Sequence, residues 1–357
     1  MWAQLAAEIL RYGSFHGIER LVRSTARRGL GVSRRFGDDA LAYFSERLNV
    51  EVIRAASIGV VRRAKRNKAF DASHFIGLAI DGTGAARSER GGCTLCHPRT
   101  SSDGGPAGHL HYFSLISIVG TGLVLPFDVE PQHPGEGELP ASMRLLERAV
   151  DQLGRRYASY VVGDGAYAGA PFLHAANVCG LHVVARLKGN LPTLCAAAQA
   201  RFAAAPPRLT FRDDKDDVEL WDADDFDPWD TLAWPSVRVL RYRQHKPDGS
   251  IVEAAWLTDF PISQVSSRAL YRMAKSRWQI ENGGFNDGKN RYGLERIRHH
   301  TANSLVATWL VVCLAMMIER LYRLRYLHRG VHKPREAADL HLLLWLALER
   351  PAPTDSS

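Results

Sequence analysis

Residues 160–167 read Tyr-Val-Val-Gly-Asp-Gly-Ala-Tyr, a short apolar run that leads into Asp164 between two glycines. The apolar run is typical of a buried strand, and a glycine lets the backbone turn after it. A second stretch has the same form, because Leu-Ala-Ile at 78–80 leads into Asp81 and Gly82. One such aspartate is often only a turn residue that ends a strand. Two of them in matching positions indicate a shared site.

The segments around these two strands alternate between strand and helix in the way of an α/β unit. The patterns predict strands at 75–80, 112–119, 123–129, 160–162 and 181–187, and helices at 142–156 and 172–178. Gly120-Thr121-Gly122 predicts a hairpin turn between two of the strands. The order strand, hairpin, helix, strand, helix, strand is that of a ribonuclease-H-like mixed sheet. We therefore predict an α/β (α+β) fold in which the strands before Asp81 and Asp164 are neighbours.

A third acid, Glu281, lies on a later helix. The helix is predicted to start at a cap, Ser263 or Ser266, and to end near Gly283-Gly284. Arg277 and Glu281 are four residues apart and share one helix face, where a surface ion pair is the simplest interpretation. The apolar residues around them favour a partly buried face and a functional role.

Carboxylates that converge from separate elements are suited to binding divalent cations. Mg²⁺ prefers hard oxygen ligands, and two ions about 3.5–4 Å apart stabilise the attacking and leaving oxygens of a phosphodiester displacement. Asp81, Asp164 and Glu281 are therefore the predicted catalytic residues and the predicted ligands of two Mg²⁺ (or Mn²⁺) ions.

The charge of the chain is strongly uneven. Its net charge is +8, and residues 213–230 contain ten acids and one base, which leaves 45 bases and 28 acids elsewhere. Such an excess indicates a polyanionic partner such as DNA, although a solvated basic surface has the same composition.

The chain also carries signals about its location. We find no signal-peptide pattern, and the apolar run 305–318 is shorter than the about 18 residues of a membrane span, so we expect a buried core helix and no membrane. Five cysteines, an odd number, favour a reducing compartment. We expect a cytoplasmic, nucleoid-associated protein.

Four motifs together resemble the DDE transposases of bacterial insertion sequences, in particular the group with a Tyr-Arg-Glu-Lys signature around its third acid. They lie at 78–83, 161–167, 183–188 and 277–281, and the likeness covers about residues 70–320, including a β insertion. The resemblance implies that Asp81, Asp164 and Glu281 form the metal-binding triad. It implies that Arg277 and a following lysine contact the DNA end. It further implies a homodimer that cuts paired transposon ends and joins them to target DNA.

Two positions depart from that signature. Ala274 stands where the tyrosine is expected, and Gly288 stands where the lysine is expected, one residue before Lys289. We assign the lysine role to Lys289 and assign no tyrosine. Further DNA contacts are predicted for four basic residues: Arg186, Lys188, Arg291 and Arg298. The departures keep two alternatives open, a decayed or domesticated DNA-binding protein and a structure-specific nuclease on the same fold.

The sequence divides into four predicted regions. Residues 1–70 are helical and basic, with a helix cap at Asp38 or Asp39, and either contact DNA or pack a charged face on the next domain. The catalytic core is predicted at 71–189 and 261–330, a β-rich insertion at 190–260, and a C-terminal helix with a mobile tail at 331–357.

The stretch Cys93-Thr94-Leu95-Cys96-His97 matches the haem attachment pattern C-x-x-C-H. Covalent haem needs export, for which there is no signal. Incidental cysteines in a polar loop at 84–108 are the default interpretation. The alternative is a structural zinc bound by Cys93 and Cys96 with His109 or His111.

Overall fold

A mixed β-sheet forms the centre of the protein in a computed structural model that describes residues 1–70, 74–102, 104–327 and 337–349. Its strands within these ranges are β1 (Gly77–Ser88), β2 (His97–Thr100), β3 (Pro106–Val119), β4 (Leu125–Pro131), β5 (Tyr160–Gly163), β6 (His182–Leu187), β7 (Leu209–Asp213), β8 (Asp216–Phe226), β9 (Val237–His245) and β10 (Ile251–Thr258). The helices are α1 (Trp2–Ile9), α2 (Phe15–Arg23), α3 (Ala26–Gly29), α4 (Asp38–Arg47), α5 (Val50–Arg66), α6 (Glu138–Leu153), α7 (Ala170–Val178), α8 (Pro192–Ala203), α9 (Ser267–Lys275), α10 (Arg277–Gln279), α11 (Asp287–Tyr292), α12 (Ala302–Tyr322) and α13 (Ala337–Glu349).

The strand order confirms the predicted fold class. The sheet runs β2-β3-β1-β5-β6-β10-β9-β8-β7, and β4 pairs with β3 beside β2. Strands β1, β5 and β6 are parallel to one another, whereas the other neighbours are antiparallel. Parallel neighbours need a crossover, and α6 and α7 supply helices between β4, β5 and β6. The set β4-β3-β1-β5-β6 is the ribonuclease-H-like mixed sheet, with helices before and after it in the chain.

The polar stretch 84–108 is only partly a loop, which corrects the sequence prediction. Strand β1 continues to Ser88, and its residues Gly84 and Ala85 pair with Tyr112 and His111 of β3. Antiparallel pairing uses backbone groups, so a polar and glycine-rich composition does not prevent it. The hairpin therefore carries the backbone well beyond Asp81.

The insertion between the second and third acids extends the central sheet. Strand β10 pairs with β6 of the core, and β9, β8 and β7 follow outward. Residues 247–249 turn the chain from β9 to β10, with Gly249 at a φ of +83°. Helix α8 was not predicted, although it buries Leu194, Ala198 and Phe202 at four-residue spacing.

The helical region around Glu281 differs from the prediction, which ended it at Gly283-Gly284. After α9 and α10, a π-helical segment, Ile280–Asn286, leads directly into α11, and Gly293 ends the run in the left-handed conformation. A Cβ on Gly283 would lie 3.0 Å from Val124, and one on Gly284 would lie 3.0 Å from Leu115. These glycines therefore permit close packing on the sheet and do not stop the helix.

The N-terminal helices pack on the same core. Helix α5 buries Ile53 and Val61 in the main cluster, and its Arg54 donates from Nε to Asp128 of β4 at 3.0 Å. The predicted cap is wrong, since Gly37 precedes α4 and Asp38 lies in its first turn. A smaller core joins α1, α2 and α4 to α13, which is the predicted C-terminal helix. The predicted mobile tail at 350–357 lies outside the described residues.

Helix α12 packs on strand β4 and on helix α5. Its Trp309 stacks on Phe113 of β3, with ring centroids 4.4 Å apart. By length and composition Ala302–Tyr326 is apolar enough to cross a membrane, but 83% of its apolar window is buried inside the protein. The prediction of a buried core helix is therefore confirmed.

Candidate active site

The sheet register places the first two acids side by side. Strands β1 and β5 are parallel, and Ala79 lies opposite Val162. Asp81 and Asp164 each follow two residues later. Because neighbouring parallel strands advance together by about 3.3 Å per residue, the two carboxylates leave the sheet at the same level.

Arg277 connects the first acid to the third. The π-helical segment that carries Glu281 packs on β1, β3 and β4. One terminal nitrogen of Arg277 lies 2.7 Å from Glu281, and the other lies 3.8 Å from Asp81. Arg277 itself is only 6% exposed. Arg277 and Glu281 thus share a helix face as predicted, but the guanidinium is buried between two acids and does not form a solvated surface pair.

Glu138 is a fourth acid at this place, which the sequence analysis missed. It lies in the first turn of α6, and it accepts a hydrogen bond from the Tyr167 hydroxyl. A Cβ on Gly82 would collide with the Glu138 carboxylate, so the glycine after Asp81 makes room for it. The sequence signal that could have found it is an acid just before the helix that follows the predicted hairpin.

The four acids share one electrostatic environment. Burial raises the pKa of Asp81 to about 7, and the charges of Glu138, Asp164 and Glu281 add to the increase, against the opposing effect of Arg277. The ionised form of Asp81 is therefore disfavoured unless positive charge approaches.

The donor set fits a hard divalent cation. All of the groups are carboxylates, which are the ligands that Mg²⁺ prefers. The oxygens of Asp81, Asp164 and Glu281 do not all lie within 4.8 Å of one another.

The second acid is held by its own backbone. Asp164 Oδ1 accepts from the Ala166 amide at 2.7 Å, which caps the short helical turn Gly165–Ala168. Its other oxygen lies 3.4 Å from Lys188 Nζ. The carboxylate remains 31% exposed, so it is fixed in direction and open to solvent.

Comparison with known families agrees with this geometry. A family model for the transposase DDE domain matches residues 76–318, more than half of the chain. The chain belongs to the transposase DDE domain family. Membership supports a DNA transposase, an enzyme class that acts on DNA and generally depends on divalent metal ions.

One solved structure in the comparison is a cryo-EM structure of a piggyBac transposase synaptic complex with hairpin DNA. It is 10% identical, with a TM-score of 0.46, over 97% of this chain and 70% of that chain. A search of curated proteins finds no match.

Lys289 lies beside the strand of the first acid. Its Nζ is 3.1 Å from Thr83 Oγ1 and 2.9 Å from Glu295. A π-helical turn closes i→i+5 contacts and so takes one residue more than an α-helical turn. The extra residue of the π-helical segment Ile280–Asn286 matches the one-residue shift of the predicted lysine role from Gly288 to Lys289.

The missing signature tyrosine has no substitute on the same helix. Ala274 is buried, and the Tyr271 hydroxyl donates to Asp213 of β7 at 2.8 Å, away from the acids. A phenol does reach the cluster from another element, because Tyr167 follows Asp164 and binds Glu138.

The other predicted DNA contacts separate into two groups. Lys188 and Arg291 are exposed, and Arg186 is half-buried with its guanidinium 5.8 Å from the Trp278 ring centroid. Arg298 is different, because its side chain has no exposed surface and forms an ion pair with the equally buried Glu8. The prediction that Arg298 contacts DNA is therefore corrected: it joins α1 to the core.

Proposed function

We propose that this protein is a transposase that cuts transposon ends and joins them to target DNA by two-metal-ion phosphoryl transfer. The observation that carries the proposal is that Asp81 and Asp164 follow neighbouring parallel strands at the same level, while the buried Arg277 lies between Asp81 and Glu281. Nothing in this arrangement requires a protein nucleophile, since water or a DNA 3′-hydroxyl serves in that role.

The chain's own residues divide the work. Asp81 and Asp164 hold their oxygens from the rigid sheet, and Glu281 reaches them from the helix. Bound Mg²⁺ or Mn²⁺ ions would supply the charge that stabilises the attacking and leaving oxygens. Arg277 offsets part of the repulsion among the acids, and the charge of Glu138, held by Tyr167, adds to the repulsion on Asp81.

DNA would approach the carboxylate cluster across basic side chains. We propose that Arg186, Lys188, Lys289 and Arg291 contact the backbone of the transposon end, with Arg277 turning to a phosphate when DNA is bound. Such contacts provide affinity and salt dependence rather than sequence reading. The basic helices of residues 1–70 are a second proposed DNA-contacting region. We propose action as a homodimer on paired ends, in the cytoplasm on nucleoid DNA.

The test uses a supercoiled plasmid that carries the inverted repeats flanking the gene. Wild-type protein with Mg²⁺ or Mn²⁺ should cleave at the ends and give joined products with target DNA. Asp81→Ala, Asp164→Ala and Glu281→Ala should each abolish cleavage while retaining the gel shift with end DNA. Glu147→Ala, an exposed acid on α6, is the control and should cleave normally. Full cleavage by one of the triad variants would overturn the assignment of that residue.

The same assay separates the two alternatives. A decayed DNA-binding protein would shift end DNA without cleaving it, even with Mn²⁺. A structure-specific nuclease would cleave but would give no joined products. The altered tyrosine and lysine positions are the observations that keep these alternatives in the test.

A further inference from the structure

A second group of ligand-type side chains lies outside the carboxylate cluster. Cys93, Cys96, His111 and His300 place one ligand atom each within 4.8 Å of one another. The cysteines precede β2, His111 lies on β3, and His300 lies between α11 and α12. Three distant parts of the chain thus bring sulfur and imidazole donors to one point.

The distances within this group match a tetrahedral ion. Bonds of about 2.3 Å to sulfur and about 2.0–2.1 Å to nitrogen set two sulfurs roughly 3.7 Å apart, a sulfur and a nitrogen about 3.5 Å apart, and two nitrogens about 3.3 Å apart. The two Sγ atoms are 3.6 Å apart, and the two Nε2 atoms are 3.2 Å apart. The three measured sulfur–nitrogen distances are 3.3, 3.4 and 3.3 Å.

The surroundings prepare His111 for a metal. Its Nδ1 donates to the Ala86 carbonyl at 2.6 Å, so the proton sits on Nδ1 and the Nε2 lone pair faces the cysteines. The side chain is fully buried and cannot turn away. Between the cysteines, the Cys96 amide donates to the Cys93 carbonyl at 3.3 Å, and Leu95 is buried beneath the turn.

Two other interpretations fit less well. A disulfide needs an S–S distance of about 2.05 Å, whereas Cys93 and Cys96 are free thiols 3.6 Å apart. In an iron–sulfur cluster with this ligand set, the cysteines and the histidines would bind different iron ions, so their donor atoms would lie further apart. Sulfur–nitrogen distances of 3.3–3.4 Å leave room for a single ion.

We propose that Cys93, Cys96, His111 and His300 bind one structural Zn²⁺ ion. Two thiolates and two imidazoles are the Cys₂His₂ ligand set of structural zinc sites, and all four positions are filled by the protein. No position is left for water or substrate, so this ion does not take part in phosphoryl transfer. Of the two histidines considered from the sequence, the structure selects His111 over His109, and it adds His300.

The ion would clamp the two halves of the active site together. Ala86, which fixes His111, lies five residues beyond Asp81 on β1, roughly 17 Å away along an extended strand. His300 follows the helical run that carries Glu281 and Lys289. The Lys289–Thr83 contact joins the same two elements closer to the acids. Zinc would therefore set the position of the third acid's helix relative to the β1–β3 hairpin.

The experiment measures metal in the full chain, purified after growth with added zinc and dialysed against Mg²⁺ buffer. Elemental analysis should find about one zinc per chain. The Cys93→Ser/Cys96→Ser double variant should contain at least about tenfold less. His109→Ala, a matched histidine on the same strand, should keep its zinc, whereas His300→Ala should lose most of it.

Cobalt gives a readout that does not depend on the variants folding. Wild-type protein reconstituted with Co²⁺ should show the intense visible bands of a tetrahedral ion and sulfur-to-cobalt charge transfer in the near ultraviolet. Zinc should displace these bands, and Mg²⁺ should not.

Three results would overturn the proposal: wild-type protein without zinc or cobalt bands, a Cys93–Cys96 disulfide in protein purified under mildly reducing conditions, or zinc retained in His300→Ala but lost in His109→Ala. These measurements need no DNA. Asp81→Ala should keep its zinc, so failure of the zinc site and failure of the proposed transposase activity are distinguishable.

Discussion

Two clusters of ligand-type side chains meet on the paired strands β1 and β3, through Asp81 on β1 and His111 on β3, and they are built in opposite ways. The carboxylate cluster around Asp81 offers only hard oxygens, and its acids are partly open, with Glu281 41% exposed. The cluster around His111 offers sulfur and nitrogen, and its central histidine is fully buried. The proposed Mg²⁺ and Zn²⁺ sites therefore differ in the chemistry of their donor atoms.

The difference extends to how each cluster is satisfied. Asp81 is surrounded by other acids and is opposed by one arginine, so its ionised state stays unfavourable until cations arrive. His111 donates from its second ring nitrogen to a backbone carbonyl, and with its three partners it would give the proposed zinc ion four ligands. A cluster that is open to solvent and holds repelling charges is suited to binding metal ions together with a substrate. A buried cluster whose donor groups all have partners is suited to a structural role.

The largest expected effect comes from Asp81→Asn. Cleavage of end DNA should fall by about a thousandfold or more, because losing a ligand removes several kcal/mol of charge stabilisation. The metal-free protein should instead become more stable at about pH 8, by about 2 °C or more, because a buried charge among acids is gone. Cleavage assays and thermal unfolding measure the two effects. A variant that lost both activity and stability would contradict the proposed repulsion among the acids. As a control, the zinc content of Asp81→Asn should remain that of wild type.

Glu138→Gln should have the next largest effect. The amide keeps the shape but loses the charge beside Asp81, so cleavage should fall by about 10–100-fold, as for partners that orient metal ligands. Glu147→Gln, on the same helix and exposed, should cleave at the wild-type rate. Equal rates for the two variants would remove Glu138 from the site.

Stabilisation by Mg²⁺ should depend on pH. The folded pKa of Asp81, about 7, lies above its ordinary 3.8, so the folded protein keeps a proton between these values that the unfolded chain has lost. Stability from this group therefore falls as pH rises through that window. Added Mg²⁺ should raise the melting temperature by more at about pH 8 than at about pH 5. The difference should vanish in Asp81→Asn, and equal shifts in wild type would contradict the link.

The smallest effect is expected for Lys289→Ala. Loss of one phosphate contact should weaken end binding and reduce the slope of log affinity against log salt by about one. Arg212→Ala, on strand β7 at the far edge of the sheet, should leave the slope unchanged. Titrations at several salt concentrations decide this, and an unchanged slope for Lys289→Ala would remove it from the DNA interface.

Much of the fold was predictable because its signals are local. The strands before Asp81 and Asp164 are continuous apolar runs, and they occur where the sheet order needs them. Helix α8 was missed because its alanine-rich sequence has only a weak apolar face. The end of the third acid's helix was misplaced because glycine can either end a helix or permit close packing. Only the contact with Val124 shows that Gly283 permits close packing.

The site was predictable only in part for a related reason. The three acids follow recognisable strand and helix patterns, whereas Glu138 gains its meaning from space left by Gly82. Arg298 has the same charge as an exposed DNA contact, and only burial against Glu8 distinguishes it.

The sequence by itself determined the donor types and the strand ends that present them, because apolar periodicity and glycine positions act over a few residues. Only the tertiary structure decided which donors meet. Cys96 and His300 are 204 residues apart, and their Sγ and Nε2 atoms lie within 3.3 Å. No local pattern encodes that contact, because it arises from helices and strands that pack together to bury the same core.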